Sequence, residues 1–163
     1  MNSSIPYLAV ARVHGDDAGD FLQSQLSADI AALEPGDKTP ACYCTPKGKE
    51  LGMLLVGRDE QGFLLAGNSE LLPGILKRLQ MFVMRSKVTF SETEAAAVTS
   101  DSGPAFGCSG EGGAMADAEA WRAGELLEGM VWLNTESTES YIPQMLGFEN
   151  IGAVSFQKGC YPG

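Results

Sequence analysis

Apolar residues follow two different spacings along the first ninety residues of the chain. Short apolar runs of the kind that form buried strands lie at 7–13, 41–44, 51–56, 63–66 and 86–90. Two longer stretches repeat their apolar residues every three or four positions, which predicts amphipathic helices. These residues are Ala18, Phe21, Leu22, Leu26 and Ile30 in the first stretch, and Leu72, Ile75, Leu76, Leu79, Phe82 and Val83 in the second. The order β-α-β-β-β-α-β predicts an α+β fold with antiparallel sheets and packed helices.

Polar and turn-forming residues indicate where these elements begin and end. Asp17 is suited to cap the first helix, and the turn at 34–37 is expected to end it. A loop at 58–62 is expected to close a hairpin between two strands. Asn68 or Ser69 is expected to cap the second helix.

The second half of the chain carries weaker patterns. Residues 91–120 are rich in Gly, Ala, Ser and Glu, and they predict little regular structure. A short helix is expected at 118–128, a strand at 130–133, and then a polar loop. Because Pro143 biases the residue before it away from helix, the stretch 141–145 is expected to be rigid and extended.

Composition and charge exclude several classes of function. The 163 residues suit one domain or two small lobes, and 44% apolar with 20% charged residues is a globular composition. The formal net charge of −10 argues against a broad nucleic-acid footprint, although local basic pockets could form around Lys47 and Lys49 or around Arg85 and Lys87. No apolar run approaches the roughly 20 residues that span a bilayer, and no signal peptide is recognisable, so the cytoplasm is expected.

The four cysteines are expected to be reduced thiols in that compartment. Cys42 and Cys44 are two residues apart, so on a strand both would point to one face. With one histidine in the chain, a zinc site built from Cys and His is poorly supplied, and no metal site is predicted.

The final octapeptide, residues 156–163, contains the most distinctive chemistry. Cys160 lies in a glycine-bracketed turn between Lys158 and Tyr161. A nearby ammonium group favours the thiolate, and Gly159 lets the backbone approach a partner closely, which together indicate a reactive cysteine. The alternative is an ordinary turn that happens to carry a cysteine.

Three stretches taken together resemble one family. They are 15–30, which includes the run Phe21-Leu22-Gln23-Ser24-Gln25-Leu26, then Cys44-Thr45-Pro46-Lys47-Gly48-Lys49, and finally Tyr141–Met145 leading into Lys158-Gly159-Cys160-Tyr161-Pro162-Gly163. In this order and spacing they resemble the YgfZ branch of the folate-binding, GcvT-like proteins, for which KGCYxG is the signature.

The resemblance implies a fold and a function. Members have a folate-binding core with an inserted ferredoxin-like lobe and a C-terminal barrel, bind tetrahydrofolate, and support iron–sulfur enzymes and, through them, tRNA modification. We therefore expect a folate-binding core at 1–50 and 118–163, a shortened ferredoxin-like lobe at 51–117, and no C-terminal barrel, because members continue past Gly163. The expected partners are folate and iron–sulfur client or assembly proteins, with no direct nucleic-acid or membrane contact.

Departures from the family pattern argue against catalysis. The aminomethyltransferases of this group use an aspartate in the region matching 48–53, where this chain has only the displaced carboxylate Glu50. A second family carboxylate, which holds the pterin ring, matches Leu127, with Glu128 adjacent. We therefore expect a non-catalytic, folate-binding accessory protein. The alternatives are a folate-dependent aminomethyltransferase and a ligand-free interaction module.

The predicted site combines one thiol with several polar groups. Cys160 is the expected reactive thiol. Gln25 and Asp29 are expected to share one helix face toward the pterin or toward solvent, and Lys47 and Lys49 would meet the glutamate tail of folate or simply flank a hairpin turn. The candidate folate-binding residues are Gln25, Asp29, Lys47, Lys49, Lys158 and Tyr161.

Overall fold

The computed structural model describes residues 3–108 and 117–162, and its centre is a five-stranded antiparallel sheet in the order β2-β3-β4-β1-β5. The strands of this sheet are Leu8–His14 (β1), Lys38–Cys44 (β2), Glu50–Asp59 (β3), Gly62–Asn68 (β4) and Thr89–Ser91 (β5). A separate hairpin pairs Ala95–Ser100 (β6) with Gly103–Cys108 (β7). The α-helices in the described part are Ala18–Gln25 (α1), Leu72–Met81 (α2) and Ala118–Leu127 (α3), and short 3-10 helices follow at Pro143–Leu146 and Phe148–Ile151.

The central sheet separates two apolar clusters. Helices α1 and α2 pack on one face, which we call the helical face, against residues such as Val13, Leu54 and Leu65. The β6–β7 hairpin, α3 and the C-terminal segment cover the opposite face, which we call the C-terminal face. Alternation along β2 sends Tyr43 to the helical face and both Cys42 and Cys44 to the other. The α+β prediction, and the prediction that the two thiols share a face, are confirmed.

The loop between β3 and β4 is shorter than predicted. Asp59 pairs with Gly62, so only two residues connect the strands, and Gly62 has a φ of 135°. The second helix begins after Asn68, whose Oδ1 accepts hydrogen bonds from the backbone N–H groups of Glu70 and Leu71. Asp17 stands at the start of α1 as predicted, but its carboxylate accepts the N–H of Lys87 instead of capping the helix.

The prediction of little regular structure over 91–120 is wrong for residues 95–108, which form the β6–β7 hairpin. Its small residues lack the bulky pattern of a buried strand, but Phe106 anchors it to the central sheet. A Cβ atom on Gly57 of β3 would lie 2.6 Å from the Phe106 ring, so glycine is required for this contact. The part of the predicted stretch at 109–116 lies outside the described residues.

Three other predictions from the apolar pattern need correction. Residues 130–133 form no strand, although Trp132 and Leu133 are buried, because this segment packs through its side chains without pairing to a sheet. The stretch predicted to be extended at 141–145 keeps that form only to Ile142, and Pro143 begins a 3-10 helix. Phe82 follows the last residue of α2 and is 47% exposed, so it does not belong to the core.

The predicted limit between the two lobes falls at the start of β3. Strands from both sides of residue 50 contribute to the central sheet. The strand pairing of the described residues does not test whether the two predicted lobes are separate domains, so the domain limits stay a prediction. No helix of the described part is both long and apolar enough to cross a membrane.

Candidate functional site

Helix α1 ends at Gln25, well before the turn at 34–37 that was expected to end it. Its last helical residue is Gln25, and Leu26 takes an extended conformation with ψ of 156° and forms a β-bridge with Tyr43. The apolar spacing nevertheless continues, since Leu26 and Ile30 are both fully buried. Gln25 and Asp29 therefore do not share a helix face, and that prediction is wrong.

Ser27 explains why the chain leaves the helix at this point. Its buried hydroxyl accepts the backbone N–H of Cys42 at 2.8 Å and donates to the carbonyl of Ala153. Its backbone N–H donates to the Cys42 carbonyl, and its own carbonyl accepts the N–H of Ser155. One small residue thus joins the end of α1, strand β2 and the segment that leads into the signature.

Lys158 fixes the signature to the same place. Its ammonium donates to the carbonyls of Gln23, Leu26 and Ala28 at 2.6, 2.6 and 2.7 Å. These carbonyls lie at and beyond the C-terminus of α1, where helix carbonyls lack intrahelical partners and a cation is favoured. Burial lowers the pKa of Lys158 to about 8, opposed by the charge of Asp29. The principal contacts of Lys158 are therefore with the backbone.

Beneath the signature, β2 and β3 bring together Cys42, Cys44 and Glu50, which we call the thiol–carboxyl cluster. All three side chains are buried, and Glu50 is 0% exposed. Burial and the charge of Glu50 raise the pKa of the Cys42 thiol well above its usual value and that of Cys44 to about 12. Both thiols are therefore protonated near neutral pH.

Glu50 is a buried carboxyl group that lies beside the Cys42 thiol. Neither Oε1 nor Oε2 is satisfied by any described residue. Its backbone, in contrast, is fixed, because its N–H donates to the carbonyl of Tyr141 and its carbonyl accepts from Glu139. Burial raises the pKa of Glu50 to about 8, and the neighbouring Cys42 thiol opposes part of that rise. Most buried polar groups are satisfied, so this one needs an explanation.

A bulge in the β2–β3 pairing decides which way Glu50 points. Tyr43 pairs with Gly52 but Cys44 pairs with Glu50, so Leu51 is the extra residue. A Cβ atom on Gly52 would lie 2.9 Å from Ile75 of α2, which places that position on the helical face. Glu50 lies with the cysteines on the C-terminal face. It therefore does not replace a carboxylate at position 52.

The signature residues lie close to this cluster. The pKa of the Tyr161 phenol is raised by burial and by the nearby thiols of Cys44 and Cys42, and its ring lies 5.3 Å from the Lys158 ammonium. Cys160, between them, is exposed. Gly163, the last residue of the octapeptide, lies outside the described residues.

The turn between β2 and β3 carries the two predicted lysines. Its residues 45–49 are held by hydrogen bonds between Thr45 and Lys49 and by a φ of 79° at Gly48. Lys47 is exposed and Lys49 half-buried, and neither forms an ion pair with a described residue. The turn joins Cys44 to Glu50 along the chain, so its backbone begins and ends at the thiol–carboxyl cluster.

Gln25 and Asp29 occupy different surroundings. Asp29 is exposed and accepts a hydrogen bond from Gln23, which also caps the backbone beyond the helix. The Oε1 atom of Gln25 is buried without a partner in the described part, and Gln25 lines a cavity of about 450 Å³ with Phe82 and Arg85. Asp29 thus lies near Lys158, and Lys158 near Tyr161, whereas Gln25 lines a separate cavity.

Helix α3 presents a carboxylate that the sequence pattern did not single out. Glu125 is 7% exposed and accepts a hydrogen bond from the Trp132 indole at 3.0 Å. Burial raises the pKa of Glu125, and it lines a cavity of about 600 Å³ with Lys38. Leu127, the position matched to the family's pterin-holding carboxylate, is 89% exposed. The signal that could have found Glu125 was its spacing from Trp121 along one helix face.

Comparison with known proteins agrees with this architecture. No known protein-family profile matches the chain. An uncharacterized protein of Haemophilus influenzae is 29% identical over 188 residues, which cover 98% of this chain and 65% of that protein. The tRNA-modifying protein YgfZ of Vibrio atlanticus is 23% identical, with coverages of 100% and 65%, and that of Klebsiella pneumoniae is 22% identical, with coverages of 95% and 62%. The resemblance to YgfZ-type, GcvT-like proteins is confirmed.

The solved structure of glycine cleavage system aminomethyltransferase T from Bartonella henselae has the same fold over part of its length. The TM-score is 0.54 at 20% identity, and the match covers 60% of this chain and 27% of that one. The chain spans about two thirds of the length of its curated relatives, from 62 to 65%. The alignments with the Haemophilus and Vibrio proteins run over 188 and 212 residues, so those relatives carry additional residues within the matched region.

Proposed function

We propose that the chain is a tetrahydrofolate-binding accessory protein of the cytoplasm that supports assembly or repair of iron–sulfur proteins and, through them, tRNA modification. The observation that carries the proposal is the signature segment, tied by Lys158 to the end of α1 beside a buried cluster with unsatisfied polar atoms. The relatives named tRNA-modifying protein YgfZ support the tRNA connection.

The residues present fit a folate. Its pterin ring offers hydrogen-bond donors and acceptors, and the buried oxygens of Glu50 lie near the signature, whereas Gln25 lines a different cavity. Its glutamate tail carries carboxylates, and Lys47 and Lys49 present ammonium groups that form no ion pair in the described part. Bound tetrahydrofolate would supply one-carbon or redox chemistry, while these residues would bind and orient it.

Cys160 is the residue through which we propose contact with a client protein. It is exposed and follows the Lys158 anchor by two residues, so it is presented at a fixed point of the surface. Cys42 and Cys44 are buried and protonated, which leaves them unsuited to a thiol partner.

Titration calorimetry with tetrahydrofolate tests the binding proposal. We expect saturable binding at micromolar to submillimolar ligand, and weaker binding by the Lys47→Met, Lys49→Met double variant. Lys77→Met, an exposed lysine of α2, serves as the matched control. Absence of binding at millimolar ligand would remove the folate proposal. If tetrahydrofolate binds but cells that carry Cys160→Ala keep the full activity of the iron–sulfur client, the proposed role of that thiol is wrong. That outcome would favour a binding module.

A folate-dependent aminomethyltransferase is the second candidate, because the structural neighbour in Bartonella henselae carries that name. Against it, Leu51 and Gly52 lack a carboxylate, and Glu50 points to the opposite face from Gly52. We expect no methylenetetrahydrofolate from an aminomethyl donor while tetrahydrofolate binding is intact. Turnover above the uncatalysed rate would restore catalysis as the function.

A further inference from the structure

A cavity of about 600 Å³ lies between strand β2, the turn of the β6–β7 hairpin and helix α3, and none of the residues proposed to bind folate lines it. This volume is typical of small-molecule sites. The charged groups in its wall are the ammonium of Lys38 and the carboxyl groups of Asp101, Glu125 and Glu128. With all four groups ionised, three negative charges and one positive charge leave a net charge of −2. The cavity therefore favours a cationic ligand.

The ammonium of Lys38 does not satisfy these carboxyl groups by direct contact. It donates to the carbonyl and hydroxyl oxygens of Ser102 at 3.3 and 3.2 Å and to the carbonyl of Pro104 at 2.7 Å. An ammonium group has three N–H donors, so these hydrogen bonds occupy all of them. Lys38 forms no ion pair with a described residue. Its charge acts on Glu125 only at longer range.

Glu125 lines the cavity with one of its two oxygens unpartnered. The residue is 7% exposed, and its Oε2 accepts the indole N–H of Trp132 at 3.0 Å, whereas Oε1 has no hydrogen-bond partner among the described residues. Burial, and then the negative charge of the nearby Glu128, raise the pKa of Glu125. A cation placed beside both carboxyl groups would satisfy the free oxygen and relieve their repulsion.

An alkylammonium ion suits this arrangement better than a metal ion or a guanidinium group. The part of the chain that the structure describes has no group of three acidic, Cys or His side chains arranged to hold a metal. A guanidinium pairs best with both oxygens of a carboxylate, and Trp132 already occupies one oxygen of Glu125. An ammonium instead takes single acceptors from several groups. The aliphatic part of the wall, which suits an alkyl chain, consists of Pro40, Leu55, Met130 and Ile151.

We propose that this cavity binds a linear aliphatic diamine or polyamine, with one ammonium group beside Glu125 and Glu128 and a second beside Asp101. Asp101 belongs to the turn between β6 and β7, whereas the two glutamates lie toward the end of α3, so the carboxyl groups come from different walls of the cavity. Two ammonium groups on one chain balance the net charge of these walls. The site is independent of the proposed folate binding.

Matched ligands and variants test this site. Titration calorimetry compares cadaverine, which has an ammonium group at each end, with pentylamine, which has the same carbon chain and one ammonium group. We expect wild type to bind cadaverine at least about ten-fold more tightly. Glu125→Gln, which keeps an acceptor for the Trp132 indole, should weaken binding of both ligands about ten- to a hundred-fold. Asp101→Asn should weaken cadaverine to the level of pentylamine and leave pentylamine unchanged.

Glu70→Gln is the control for the loss of one negative charge, because Glu70 is exposed just before α2 and lies outside the cavity. It should leave both affinities unchanged. Equal loss of cadaverine binding in all three variants would show only diffuse attraction to the net charge of −10 and would overturn the site. Absence of saturable cadaverine binding by wild type, or equal affinity for the two ligands, would also overturn the proposal. Because Asp101 is exposed, its variant still decides the matter if thermal unfolding shows that Glu125→Gln is not folded.

Discussion

The buried carboxyl group of Glu50 titrates near 4.5 in an unfolded chain, but burial raises its pKa to about 8 in the folded protein. Below the lower value the group is protonated in both states and makes no pH-dependent contribution to stability. As pH rises toward the higher value, only the unfolded chain releases its proton, so stability falls. At about pH 8, we expect Glu50→Gln to exceed wild type in free energy of unfolding by on the order of 3–5 kcal/mol. Urea denaturation measures this difference.

The same comparison at about pH 4 provides the internal control, because there both proteins carry a neutral group and should agree within about 1 kcal/mol. Glu149→Gln, an exposed position, should follow wild type across the whole range. The neighbouring ionisable groups, Cys42 and Cys44, stay protonated throughout and do not disturb the comparison. A stability difference that does not change with pH would contradict the raised pKa of Glu50.

At the scale of elements, helix α1 shows that apolar spacing alone does not predict where a helix ends. Leu26 and Ile30 continue the helical period and are buried, yet the helix ends at Gln25. Burial of an apolar residue is compatible with several backbone conformations, and distant groups decide among them here. Ser27 bonds to Cys42 and Ala153, and Lys158 satisfies the carbonyls that a longer helix would have used. Contacts across more than a hundred residues leave no local signal.

Removal of the Lys158 ammonium tests its role in joining the signature to α1. In Lys158→Met the carbonyls of Gln23, Leu26 and Ala28 lose a charged donor. We expect a loss of about 1–3 kcal/mol in the free energy of unfolding. Hydrogen exchange at the Ser155 amide, which bonds to Ser27, should also become faster.

Lys77→Met is the control for this substitution, because Lys77 is exposed on α2 and makes no ion pair with a described residue. The same change of side chain there should alter stability by no more than about 0.5 kcal/mol. Equal effects of the two substitutions would show that the three carbonyl contacts contribute nothing specific.

For the whole molecule, the sequence predicts the sheet better than the site. Apolar runs and turns are sufficient to predict β1 to β4, helix α2 and the start of helix α1, because each of these elements carries its own periodicity. The sequence pattern does not predict the β6–β7 hairpin, because the hairpin packs on the sheet through a contact between Phe106 and Gly57, which has no side chain. The signature and the turn lysines are recognisable as motifs. The burial of Glu50 beside Cys42 is not recognisable from the sequence. A bulge decides the face to which the Glu50 side chain points, and bulges leave little trace in the sequence.

The fold as a whole divides the four cysteines into two classes of reactivity. Cys108 and Cys160 are exposed, whereas Cys42 and Cys44 are buried with raised pKa values. Because the thiolate is the reactive form, we expect iodoacetamide at neutral pH to modify the buried pair at least about 100-fold more slowly than Cys160. Mass spectrometry of the peptides measures each rate, with denatured protein as the reference in which all four react. Cys160→Ala should remove the fast modification at position 160 and leave the modification rates of Cys42 and Cys44 unchanged. Fast modification of Cys44 in the folded protein would mean that the thiol–carboxyl cluster is accessible to solvent and that its burial does not protect it.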